Sequence, residues 1–323
     1  DNLYKQLILL WCLDVAGNRA DTYQPIAMLV FSIPFLMLSG YAGYLADKYS
    51  KQRIVFLCKA AEVAIMVVGM LAFATANLPF MLVVLFFMGV HSAFFGPSKY
   101  GILPEIVRDT DLPAANGIFQ LTTFLAIILG MIFAGAVKSA FGGTLWLSGI
   151  PCIGFAVLGT LSALTVQRTP RLQPELQLRR SDLAIPVEII SLFRRKPELL
   201  RVLLLYSLFW FMGGVVQPAV NAVSKKQLLQ NDALTSLAAG FLAIGIAIGC
   251  ALSSALARGY IRFSLVRLGA VGMTCALFLL SLPASFNFGG TIPRDQTGTL
   301  LGYGGSLPVL LILGASAGLF AVP

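Results

Sequence analysis

The chain has 323 residues, of which 58% are hydrophobic and only 11% charged, with a mean hydropathy of +0.85. A water-soluble domain of this size could not keep that much apolar surface from aggregating, so lipid is the solvent. The formal charge of +9 would suit nucleic acid only if it formed a basic surface outside the membrane. Here the charges are scattered through short loops.

Ten apolar runs follow in chain order: Leu3 to Val15, Pro25 to Leu45, Ile54 to Ala76, Phe80 to Pro97, Ala115 to Val137, Thr144 to Val166, Leu199 to Val220, Leu234 to Leu256, Leu265 to Leu282 and Ser306 to Pro323. Most reach the roughly 20 residues a spanning helix needs. The first run is too short to span unaided, and the chain begins at Asp1-Asn2 without a methionine, so it reads as an excerpt of a longer one. Five cysteines (Cys12, Cys58, Cys152, Cys250, Cys275) lie in apolar segments without a Cys-x-x-Cys pair, which points to packing rather than to a metal or a disulfide framework.

Three segments result. Residues 1–166 carry six spans, 167–198 form a polar, basic linker containing Arg168, Arg171, Arg179, Arg180, Arg194, Arg195 and Lys196, and 199–323 carry four more spans. With the linker in the cytosol, the loops after spans two, four, six and eight hold most of the 23 Lys and Arg residues. The outer loops keep Arg19, Lys138, Lys225, Lys226 and Arg294, an asymmetry that fixes the topology. Ile185 to Phe193 reads either as a solvated connector or as a short interfacial helix ending in Arg194 and Arg195. Glycines cluster inside the spans, and Gly245/Gly249 and Gly314/Gly318 form Gly-x-x-x-Gly faces suited to close helix packing or to helices that rock.

The turn Gly43-Tyr-Leu-Ala-Asp47-Lys48-Tyr-Ser50-Lys51-Gln-Arg53 resembles the loop between the second and third helices of the major facilitator superfamily, Gly-x-x-x-Asp-(Arg/Lys)-x-Gly-(Arg/Lys)-(Arg/Lys), with Ser50 near the expected glycine. The resemblance implies an all-α fold of two pseudo-symmetric six-helix halves, truncated here to about ten transmembrane helices. Gly43 would let a neighbouring helix come close, Asp47 would accept from a helix N-terminus, and Lys48 and Arg53 would complete a latch for one conformation. Further tags, Asp1-Asn2, Gly96-Pro-Ser-Lys99-Tyr-Gly-Ile-Leu103, Ala115-Asn116-Gly117, Ser207-Leu-Phe-Trp210 and Gly318-Leu-Phe-Ala-Val-Pro323, are similar in order to the bacterial lysophospholipid transporter branch. That likeness implies a carrier in the bacterial cytoplasmic membrane moving lysophosphatidylethanolamine or its kin inward, to be re-acylated by a separate or fused acyltransferase. A monomer is expected, with membrane lipids as surroundings and no cofactor, metal or nucleic acid. The same fold would also serve an exporter of drugs or small amphiphiles.

The substrate-binding candidates are Asp1, Asn2, Lys99, Asn116, Gln120, Trp210, Gln217 and Asn221. Gln217 stands where the branch can carry an arginine; an amide donates to a phosphate but cannot neutralise it. Each charged candidate also has a plainer reading: Asp1 as the partner of Lys5 one turn on, Lys99 as a snorkelling anchor. Glu62 pairs most simply with Lys59, and His91 reads as a hydrogen-bonded structural residue before a proton relay. His91 is followed by Gly96 where an acyltransferase His-x-x-x-x-Asp pair would need its carboxylate, and no phosphate-cradling Gly-x-x-x-x-Gly-Lys loop exists. An enzyme or a primary pump is therefore not expected.

Overall fold

The computed structural model describes the chain except for residues 16–19, 109–110, 142, 171–172, 174, 178–186, 258–262, 283–300 and 322–323, together with some side chains inside helices. It is all helical: α1 (Asn2–Val15), α2 (Ala20–Lys48), α3 (Lys51–Ala74), α4 (Leu78–Gly101), the short α5 (Leu103–Ile106), α6 (Leu112–Ala140), α7 (Gly149–Leu164), α8 (Val187–Arg195), α9 (Pro197–Ala222), α10 (Asp232–Ala257), α11 (Phe263–Ser281) and α12 (Gly302–Ala321). Among the described residues eight helices are long and apolar enough to cross a membrane. A hydrocarbon interior leaves no water for backbone groups, so every spanning segment closes its own hydrogen bonds as a helix. Asn77 starts α4 by accepting from the Phe80 N–H at 3.0 Å, and Asn231 starts α10 by accepting from the Leu234 N–H at 2.8 Å.

Side chains gather into two cores. One is built from α1, α2, α3, α4, α6 and α7, with Tyr4, Leu7, Ile8, Phe73, Met81, Leu85 and Met88 at its centre. The other joins α9 to α12 through Val220, Ala238, Ala276, Leu310 and Leu313. Large apolar residues such as Leu36, Leu57, Phe155, Phe211 and Phe278 stay exposed on the outside of both, as a lipid-facing surface requires. The two sets meet chiefly where α6 crosses α10, with smaller contacts from α1 and α2 to α9.

Helix association in lipid gains little from apolar burial and relies on close packing and polar contacts. The α10–α12 crossing uses both glycine faces at once: a Cβ at Gly318 would fall 2.5 Å from the Ile246 carbonyl and the Cys250 N–H, and one at Gly249 would overlap the Ala315 carbonyl. The crossing of α6 on α10 depends likewise on Gly135, where a Cβ would fall 2.5 Å from the Asp232 carbonyl. The Gly245/Gly249 and Gly314/Gly318 faces thus lie within the second set, whereas Gly135 lies between sets. Gly43 is different: a Cβ there meets nothing within 4 Å, so the close helix approach expected at that position is absent in this conformation.

Replacing Gly249 by leucine forces the α10 and α12 backbones apart, and overpacking of this kind costs on the order of 1–3 kcal/mol. Gly249→Leu is expected to lower the detergent-solubilised protein's melting midpoint by several degrees in a fluorescence size-exclusion assay. Gly154→Ala, which would meet nothing within 4 Å, should leave it nearly unchanged.

Candidate functional site

Two helices from different sets share a buried amide cluster. Gln6 of α1 donates through Nε2 to Asn221 Oδ1 at 3.2 Å, and its Oε1 accepts from Gln217 Nε2 at 3.2 Å and Asn221 Nδ2 at 3.4 Å. Gln6 and Asn221 are fully buried, and Gln217 is half-buried. An amide carries both donors and acceptors, so three of them satisfy one another without placing a net charge in a low-dielectric interior. Gln217 and Asn221 are four residues apart, one turn of α9, and therefore face α1 together. Gln6, which supplies the partner for both, was not among the sequence candidates.

A second polar group lies inside the first set. Lys59 pairs with Glu62 at 2.7 Å, as their spacing suggested, and its ammonium rests 4.7 Å from the centre of the Phe95 ring. His91 stacks on Phe95 at 5.7 Å and stands 3.8 Å from Glu62. The His91 ring is buried, with the Glu62 carboxylate and the Cys58 backbone as its polar neighbours. Asp1 sits beside this group, receiving Ser92 Oγ at 3.4 Å and Asn2 Nδ2 at 2.9 Å. Its expected partner goes elsewhere: the Lys5 ammonium lies 5.4 Å over the Phe31 ring.

Lys99 is half-buried against α6. It donates to Thr123 Oγ1 at 3.1 Å and lies about equally over the Tyr100 and Phe119 rings, 5.2 and 5.1 Å from their centres. The side chains of Asn116, Gln120 and Trp210 lie outside the described residues. A cavity of about 170 Å³ runs between α9, α11 and α12, its walls including Val216, Val220, Leu277, Leu280, Leu310 and Leu313. It is mostly apolar and lies beside the second core.

The turn between α2 and α3 is held differently from expectation. The buried ion pair is Lys51 with Glu105 of α5, both side chains under 10% exposed, whereas Arg53 is exposed. Lys48 donates to the Tyr44 hydroxyl at 2.8 Å, and the Asp47 carbonyl accepts from the Gln173 N–H at 3.1 Å. Ser50 shares a 3.1 Å hydrogen bond with Thr169, whose hydroxyl also accepts from the Gln52 N–H at 3.3 Å. The start of the linker is therefore strapped across this turn.

Breaking a buried ion pair by removing one partner strands the other charge and costs roughly 3–5 kcal/mol. Lys51→Met and Glu105→Leu are each expected to destabilise the protein clearly. The double variant should cost less than the sum by about 2 kcal/mol in a double-mutant cycle of chemical denaturation in detergent. Strict additivity would mean the pair contributes nothing.

Residues 18–323 match the family model described as Major Facilitator Superfamily. Curated relatives include the lysophospholipid transporter LplT of Pectobacterium carotovorum subsp. carotovorum, 32% identical over 117 residues, and that of Serratia proteamaculans, 32% identical over 115 residues. Each match covers 36% of this chain and 27% of the relative's length. Among solved structures, a bacterial homologue of the human lysosomal transporter Spinster, inward-facing and unoccupied, superposes with a TM-score of 0.62 at 17% identity, covering 98% of this chain and 72% of that one. A D-xylose-proton symporter gives 0.60 at 14% identity, covering 99% and 80%. These relatives and neighbours are transporters. The helix order, the two cores and the matched span agree: the chain is a multi-pass membrane protein and belongs to the major facilitator superfamily.

Proposed function

We propose that the protein carries lysophospholipids such as lysophosphatidylethanolamine across the bacterial cytoplasmic membrane toward the inner leaflet, where an acyltransferase, separate or fused, restores the second chain. The carrier works as a monomer by alternating access, residues 1–166 rocking against 199–323 about a central site. The observation that carries this reading is the amide cluster of Gln6, Gln217 and Asn221 spanning α1 and α9. A headgroup crossing hydrocarbon must exchange its water for protein hydrogen bonds, and uncharged amides exchange partners without stranding a charge. When the site is occupied, the cluster opens and its amides turn to phosphate oxygens and ammonium hydrogens.

The remaining candidates surround that cluster in the proposal. Asp1 and Asn2 take the headgroup ammonium and glycerol hydroxyl, Lys99 leaves Thr123 to meet a phosphate, and Asn116, Gln120 and Trp210 complete the wall. Gly43, Asp47, Lys48 and Arg53 act in the conformation in which α2 closes on the other set. The tags shared with the lysophospholipid branch and the LplT relatives support this substrate class over drugs.

Proteoliposomes holding the full protein and labelled lysophosphatidylethanolamine provide the test. Uptake should exceed that of empty vesicles and fall at least about fivefold in Gln6→Ala. Gln217→Arg should shift preference toward the anionic lysophosphatidylglycerol. Absence of lipid movement, combined with drug efflux by the same vesicles, would replace the proposal with an exporter of small amphiphiles.

A further inference from the structure

Four charged side chains from four places in the chain converge at the end of the bundle opposite the α2–α3 turn. Asp14 ends α1, Lys138 lies in the last turn of α6, Asp232 opens α10, and Lys225 is carried by a π-helical turn, Val223–Gln227, that continues α9. Each lysine touches both aspartates. Lys138 pairs with Asp14 and, at 3.1 Å, with Asp232; Lys225 pairs with the same two carboxylates. Lys138 is the most enclosed, its side chain 4% exposed, and it also donates to the Leu10 carbonyl at 3.0 Å. One turn below it, Gly135 brings α6 against α10.

The ring has a particular division. Asp14 and Lys138 belong to the first helix set, Lys225 and Asp232 to the second. Two of its four contacts, Lys138–Asp14 and Lys225–Asp232, are internal to a set; the other two, Lys138–Asp232 and Lys225–Asp14, cross between sets. Pulling the sets apart at this end therefore breaks only the crossing contacts, and every charge keeps one partner of opposite sign. An isolated buried pair shared between sets would instead leave two unpaired charges on separation, at a cost of several kcal/mol.

We infer that this ring is the outer gate of the carrier, a lock that holds the two helix sets together at the extracellular end and parts without stranding a charge. The inference deepens the alternating-access reading and rests on it. The gate is closed in the present structure. Its crossing contacts are lost and remade in each cycle, while the internal pairs persist in both states, which gives a two-state element with a small difference between its states.

The test uses the full chain in proteoliposomes, free of native cysteines, with a single reporter, Leu10→Cys, beneath Lys138. The rate of reaction with a membrane-impermeant maleimide added outside reports opening. Exchanging the charges within the first set alone, Asp14→Lys with Lys138→Asp, preserves its internal pair and sets like charges against the second set; labelling should accelerate about tenfold or more. Exchanging them in the second set as well, Lys225→Asp with Asp232→Lys, restores the crossing contacts, and the rate should return to within about threefold of the starting protein. Equal rates in all three proteins would overturn the gate. If the first exchange does not give a folded, monodisperse protein, Asp232→Asn carries the same test, an unchanged rate again overturning it. Labelling needs no lysolipid, so failure of lipid uptake with this labelling pattern intact would remove the substrate assignment and leave the gate standing.

Discussion

Polar side chains inside hydrocarbon must find their partners in the protein, and in this chain that constraint governs how the helices are arranged. Gln6 cannot be left facing lipid or a dry core, and its partners lie on α9, 211 and 215 residues away. Lys138 is enclosed to the same degree and reaches α1 and α10 together. Lys51 is tied to Glu105, so the α2–α3 turn is anchored to α5, just past α4. Each pairing joins elements distant in sequence, and two of the three bridge the helix sets. Glycine supplies the complementary condition, since α6 and α10 come near enough for the charge ring to close only because position 135 lacks a side chain.

These contacts differ in how easily they can be exchanged. The glycine faces of α10 and α12 interlock backbone against backbone, and separating them would forfeit packing with nothing to replace it. The amide cluster and the charge ring are of another kind. Amides can trade one another for a ligand, and each charge in the ring keeps a partner within its own set. The interlocked α10–α12 faces thus lie within one set, whereas the amide cluster and the charge ring lie between sets, beside the close α6–α10 crossing at Gly135.

Much of this was legible in the sequence, and the exceptions have a common cause. The apolar runs located the long helices because spanning a bilayer imposes both length and hydropathy. The Lys59–Glu62 pair and the glycine faces were readable because their partners lie within one helix or repeat at a fixed spacing. Gln6 was hidden, a lone amide in Leu-Tyr-Lys-Gln-Leu-Ile-Leu whose partners lie in another helix set. Lys138 and Lys225 looked like ordinary outer-loop charges, since composition records the sign of a loop and not whether its lysine folds back onto a helix end. In the cationic turn the pattern pointed to Arg53, but Lys51 begins α3 on the buried side and Arg53, two residues on, faces outward. Gly245 and Gly249 could have suggested motion; their facing partners on α12 make them packing contacts.

In a rocking carrier the two helix sets move as units about the contacts between α1 and α9. Paired spin labels measure this directly: one pair at Ser139 and Leu229, near the charge ring, and one at Asp111 and Leu199, at the opposite end. In reconstituted protein with added lysophosphatidylethanolamine, double electron–electron resonance should show the first distance lengthening while the second shortens, in matching proportions of molecules. Two distances that stay single and unchanged with and without lipid would contradict it.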